Sequence, residues 1–114
     1  MTMKTEIEVT FITCPADEAD KLASALVDER LAACVIILPG VQSIYRWKGN
    51  VAKDTESLLI VKSSAGCRES LKARVLELHT YSIPEIITIP VSGGFGEYLL
   101  WVAEQTTVSK AKSE

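Results

Sequence analysis

Leu31–Ser64 reads LAACVIILPGVQSIYRWKGNVAKDTESLLIVKSS. An apolar and aromatic arm runs out to Trp47, a polar segment follows, and a second apolar arm returns as ESLLIVKS. The unbroken run Cys34–Leu38 fits a central strand buried on both faces, or a strand packed on another subunit. Pro39-Gly40 interrupts it with a lost ladder donor and a conformationally free glycine, which predicts a bulge or bend rather than an end. Beyond it, Val41, Ser43, Tyr45 and Trp47 alternate with Gln42, Ile44, Arg46 and Lys48. Lys48–Thr55, containing Gly49-Asn50, is predicted to be the turn. A hairpin this long is a large share of so short a chain, and one small sheet has difficulty covering its aromatic tip.

Working outward, Glu6–Thr13 alternates with period two, with Ile7, Val9 and Phe11 on one side, which predicts a half-buried first strand. Cys14-Pro15 stops it. Ala19, Leu22, Ala23, Leu26 and Val27 follow at helical spacing, with Asp17, Glu18 and Asp20 at the favourable end of the helix dipole. This helix is predicted to end around Leu31–Ala33. After the hairpin, Ser63-Ser64 offers N-cap hydroxyls to a helix whose stripe is Cys67, Leu71, Val75 and Leu78. Pro84 breaks that helix's continuation. Glu85–Val91 reads as a fourth strand and Glu97–Thr106 as a final helix, with Val108–Glu114 a frayed polar tail.

The order β-α-β-β-α-β-α defines an α+β chain. Its first six elements match the ferredoxin-like split βαβ arrangement, with both helices on one face of an antiparallel sheet. The strands are apolar on both faces, so the uncovered face is predicted to be a subunit contact.

The 114 residues fit a single domain, and 47% hydrophobic residues with a mean hydropathy of +0.19 indicate a filled core with apolar surface to spare. A formal charge of −3 argues against a nucleic-acid partner, which needs a basic face. No apolar run approaches the ~20 residues of a membrane span, and MTMKTEIEV lacks the apolar core of a secretory signal, so a cytoplasmic protein is expected. Cys14, Cys34 and Cys67 form neither a C-x-x-C pair nor a zinc spacing.

Arg30-Leu31-Ala32-Ala33-Cys34-Val35, Pro39-Gly40-Val41 with Ser43, Tyr45, Trp47 and Gly49, then Glu56, Leu59 and Lys62 stand in order along the chain. His79-Thr80-Tyr81, Pro84-Glu85-Ile86, Pro90 and Tyr98-Leu99-x-Trp101 complete the set. Together they resemble the CutA family, the divalent-cation-tolerance proteins. The resemblance implies a homotrimer of ferredoxin-like subunits related to PII signalling proteins, a hairpin reaching neighbouring subunits, and a link to copper and other divalent metals. It implies no reaction, so no enzyme is expected. Ile36 departs from the family's usual Asn.

The resemblance also implies that His79 binds copper together with Cys14, and a thiolate with an imidazole suits copper better than magnesium or calcium. The alternative is that His79 only complements a helix C-terminus. Lys62, Glu56, Glu85, Tyr45, Trp47 and Tyr81 form a second candidate set, a polar pocket between subunits closed by a Lys-Glu pair, with Glu85 or a bound anion as the partner of Lys62. The alternative there is a structural ion pair with aromatic packing in a trimer interface. Gly93-Gly94-Phe95-Gly96 lacks the Lys-Ser/Thr ending of a P-loop. The loop after the first strand has no arginine to cradle an acyl phosphate, and the third strand has no aromatic for RNA stacking. Two functions remain: a metal-binding tolerance protein, or a PII-like small-molecule sensor or adaptor with its ligand in inter-subunit clefts.

Overall fold

The computed structural model describes residues 6–106; the predicted polar tail Val108–Glu114 lies outside the described residues. The elements are β1 (Ile7–Cys14), α1 (Ala19–Asp28), β2 (Cys34–Trp47), β3 (Asn50–Ser64), α2 (Arg68–Leu78), β4 (Ile86–Pro90) and α3 (Gly96–Gln105), with short 3₁₀ turns before α1 and α2. The sheet is ordered β2-β3-β1-β4, and every pair is antiparallel. This is the ferredoxin-like α+β arrangement that the order of elements predicts.

Alternation along β1 sets the layers. Ile12 and Cys14 point into the helix layer, where they share a fully buried core with Leu22, Leu26, Leu59, Val61, Leu71 and Val75. At one end of the opposite face, Ile7 packs with Ala33 and with Val102 of α3. Among the described residues, the rest of that face is not covered. Ile36, Leu38, Ile87 and Ile89 all stand exposed on it, opposite Ile60, Leu58, Phe11 and Val9 in register. An uncovered apolar sheet face is therefore present, as the pattern of elements requires.

Four local features refine or correct the sequence reading. Cys34–Leu38 lies on an edge strand, which excludes the central-strand alternative and leaves that of a strand packed on another subunit: Val35 and Ile37 pack on the core while Ile36 and Leu38 face outward. An apolar run cannot by itself say whether its second face meets its own chain or open surface. The turn is only Lys48-Gly49, both at positive φ (51° and 84°), closed by the Trp47–Asn50 pair. That is the left-handed pair that matches strand twist in a two-residue hairpin, so Asn50–Thr55 is strand rather than turn. Helix α1 stops at Asp28, because Arg30 adopts φ 63° and the Leu31 and Ala32 N–H groups both return to the Leu26 carbonyl. Neither hydroxyl of Ser63-Ser64 caps α2; Ser63 donates to the Leu31 carbonyl, and Ser64 pairs with Thr106 at the end of α3.

The predicted irregularity at Pro39-Gly40 is a bulge. Leu38 pairs with Leu58 and Val41 with Glu56, so β2 advances three positions while β3 advances two. Gly40 carries φ 74° there. The extra residue changes the alternation: Ile36 and Leu38 before it, and Val41, Ser43, Tyr45 and Trp47 after it, fall on the same side of the ribbon.

Candidate functional site

The base of the hairpin meets the loop after α2 at a cavity of about 540 Å³. Tyr45 and Trp47 reach it from β2, Asp54 and Glu56 from β3, and Tyr81 and Glu85 from the segment between α2 and β4. Of the second candidate set, the fold thus brings together Glu56, Glu85, Tyr45, Trp47 and Tyr81.

Glu56 organises the polar part. It is only 6% exposed. Ser43 Oγ donates to its Oε1 at 2.6 Å, and the Tyr81 hydroxyl donates to its Oε2 at 2.6 Å. Both donors are neutral. Burial, and then the bond to Glu56, push the Tyr81 hydroxyl pKa up, so it stays a donor across the ordinary pH range. The Tyr45 hydroxyl donates to Asp54 Oδ2 in the same way, and that bond raises its pKa as well. Ion pairs among the described residues join Arg68 to Glu8, Lys72 to Glu69, and Arg74 to Glu29 and Glu77; none reaches Glu56, Asp54 or Glu85.

Lys62 is elsewhere. It pairs in register with Val9 and Cys34, and its Nζ lies 5.6 Å from the centroid of the Tyr98 ring on α3. The expected Lys62–Glu85 pair is not formed among the described residues, because Lys62 stands toward the α3 end of the open face and Glu85 at the hairpin end. Asp54 and Ser43 are site residues that the sequence reading missed. Asp54 was hidden by assigning residues 50–55 to the turn, and Ser43 is one short polar residue in an alternating strand.

His79 and Cys14 lie beside this cavity. The His79 ring stacks obliquely on Tyr81, with centroids 4.7 Å apart. Its Nε2–H donates to the Thr13 carbonyl at 2.7 Å, and its Nδ1 accepts the Tyr81 N–H at 3.1 Å. These partners fix the neutral Nε2–H tautomer and occupy both nitrogens. Cys14 is fully buried in the helix-side core, and burial, followed by the charge of Glu18, pushes its thiol up to about 11. A metal ligand needs a free imidazole lone pair or a thiolate, and in this geometry neither is offered. No group of three or more His, Cys, Asp or Glu side chains converges on a metal-sized point among the described residues. What His79 does here is tie the end of β1 to the loop carrying Tyr81, and so position the donor on Glu56.

An antiparallel β2-β3-β1-β4 sheet with two helices on one face and a long hairpin beside a polar pocket defines a ferredoxin-like fold of the PII-like kind. The chain belongs to the family described as CutA1 divalent ion tolerance protein, whose model matches residues 8–105. It is 52% identical over 100 residues to the divalent-cation tolerance protein CutA of Thermus thermophilus, covering 87% of this chain and 97% of that one. It is 44% identical over 99 residues to the chloroplastic protein CutA of Arabidopsis thaliana, covering 86% of this chain but only 54% of the longer plant protein. The solved structure of the Thermus thermophilus protein superposes with a TM-score of 0.86 at 51% identity, covering 89% of this chain and 99% of that one. The PII-like protein CutA of Nostoc superposes with a TM-score of 0.85 at 36% identity, covering 89% of this chain and 98% of that one.

Proposed function

We propose that this protein acts as a homotrimer whose subunits bury their open sheet faces against one another, and that it serves divalent cation tolerance as a ligand-binding sensor or adaptor without catalysing a reaction. The observation that carries this reading is the open face itself. Ile36 and Leu38 on one edge strand and Ile87 and Ile89 on the other stand exposed on the same face, together rather than singly scattered. The hairpin arm extends the molecule to 53 Å in its longest dimension, against 31 and 24 Å in the others. Such an arm gains little from its own subunit and much from a neighbour's. The cavity at its base then becomes a cleft between subunits, where a small molecule is held. Light scattering tests the assembly: a mass of three chains is expected, and a monomer overturns it.

Copper or another divalent ion held directly by His79 and Cys14 is the alternative function. Its support is the family's divalent-ion role and the His79 bond to the residue before Cys14. Binding there requires opening both hydrogen bonds of the ring and ionising a thiol whose pKa stands near 11. We therefore place ligand binding in the cleft ahead of metal binding at this pair. Calorimetry with copper separates the two: heat lost in His79→Ala and Cys14→Ser restores the metal assignment. Among the described residues no disulfide joins the cysteines, which fits the reducing cytoplasm proposed here. An Archaeoglobus fulgidus relative at 34% identity is described as periplasmic, and the Arabidopsis protein as chloroplastic, so fractionation of the native cell tests that placement.

A further inference from the structure

We infer that the ligand of the hairpin-base cavity is an organic ammonium ion, of the size of a diamine, a polyamine or a quaternary amine. This deepens, and rests on, the reading of that cavity as a small-molecule site. Among the described residues, three carboxylates line it, from Asp54, Glu56 and Glu85, and no lysine, arginine or histidine does. Asp54 and Glu85 are exposed, but the third carboxylate is not. Glu56 is buried, its two hydrogen bonds come from uncharged hydroxyls, and no cation pairs with it among the described residues. A buried carboxylate without an opposite charge is costly, and a cation entering the cavity offsets that cost.

The rest of the lining selects the kind of cation. Tyr45, Trp47 and Tyr81 contribute rings to the same cavity. The negative faces of aromatic rings attract alkylammonium groups and tolerate their methylenes, which a strongly hydrated metal ion does not exploit. The cavity's size, about 540 Å³, belongs to small organic ligands rather than bare ions. Its carboxylates do not gather at one point as a metal would require. They are distributed, which suits a molecule carrying two or more separated positive charges. Anionic nucleotides, the other natural candidates for a PII-like subunit, meet like charge on entry.

Isothermal titration of the assembled protein with putrescine, spermidine and choline tests the inference, with magnesium chloride and ATP as comparison ligands at matched ionic strength. Saturable binding of at least one ammonium ion is expected, weakened tenfold or more in both Trp47→Ala and Asp54→Asn and unchanged in Glu69→Gln on the outer surface of α2. Glu56→Gln should behave likewise; if it fails to fold, the other two variants still decide. Binding that ignores Trp47→Ala and Asp54→Asn overturns the proposal, because the ammonium ion is then only collecting on surface charge. Saturable binding of ATP but of no ammonium ion, abolished by Trp47→Ala, overturns the ligand class while keeping the cavity as a site. No binding of any of these ligands overturns both.

Discussion

Ile87→Ala tests the assembly face at a single position. Ile87 lies on β4 opposite Phe11, on the side of the sheet away from α1 and α2, and is 52% exposed in the subunit. Complete burial of an isoleucine contributes about 1.5–3 kcal/mol, so the half still exposed is worth roughly 1 kcal/mol when a neighbour covers it. Three equivalent copies make that roughly 3 kcal/mol in the trimer constant, or about a hundredfold at 1.4 kcal/mol per factor of ten. The subunit concentration at half-dissociation varies as the square root of that constant, so it should rise about tenfold. Mass photometry across a dilution series reads this directly. Leu76→Ala is the control, since Leu76 is 53% exposed on α2, in the helix layer rather than on the open face. An unchanged midpoint for Ile87→Ala, or an equal shift for Leu76→Ala, refutes the assignment of the open face as the contact.

Other outcomes follow from the hairpin and the core. Lys48 occupies a left-handed conformation that a lysine adopts at a cost, so Lys48→Asn, which creates Asn-Gly, should stabilise the fold by up to about 1 kcal/mol in thermal denaturation. Gly40→Ala meets no atom within 4 Å of the added Cβ but must hold φ 74°, and should cost about 1 kcal/mol by urea titration, through backbone strain alone. The Cys14 thiol is raised from 9.0 to about 11 by burial, so its contribution to stability is intact below pH 9 and is lost as pH rises toward 11. Stability measured from pH 8 to 11 should therefore fall less steeply in Cys14→Ala than in the parent. Tyr81→Phe leaves the buried Glu56 carboxylate with Ser43 as its one hydroxyl donor, and should lower the melting temperature more than Tyr98→Phe, whose hydroxyl has no hydrogen bond among the described residues.

The helix-facing half of this molecule was legible in its sequence because burial on one side imposes a period. Leu22, Leu26, Leu71 and Val75 occupy the core that their spacing predicts, whereas in β1 it is Ile12 and Cys14, not Val9 and Phe11 of the predicted apolar side, that enter it. Pro39-Gly40 was legible for a different reason: a missing donor beside a residue free to adopt positive φ leaves few alternatives inside a strand. The distal hairpin was not. Asn50–Thr55 is a strand with little of its own subunit to pack on, so no apolar alternation marks it, and its polar residues read as a turn. The same omission concealed Asp54. Residue types marked the aromatic and acidic members of the cavity, but the position of Lys62 depends on register and on where α3 lies across the sheet. The imidazole of His79 advertises chemistry in any sequence. Only its two partners show that both nitrogens are committed to joining β1, α2 and the Tyr81 loop.

The single surplus residue at Pro39-Gly40 makes the outer arm sensitive to odd and even changes in length. Trimming or extending both strands at the Lys48-Gly49 end alters the arm's reach but leaves Ser43 and Tyr45 facing Glu56 and Asp54. Removing Gly40 instead would send every side chain from Val41 to Trp47 to the opposite side of the ribbon, emptying the cavity of Tyr45 and Trp47 without touching a cavity residue. Length variation compatible with this cavity is therefore confined to the tip, and the bulge is a position where a deletion rewires the site from a distance.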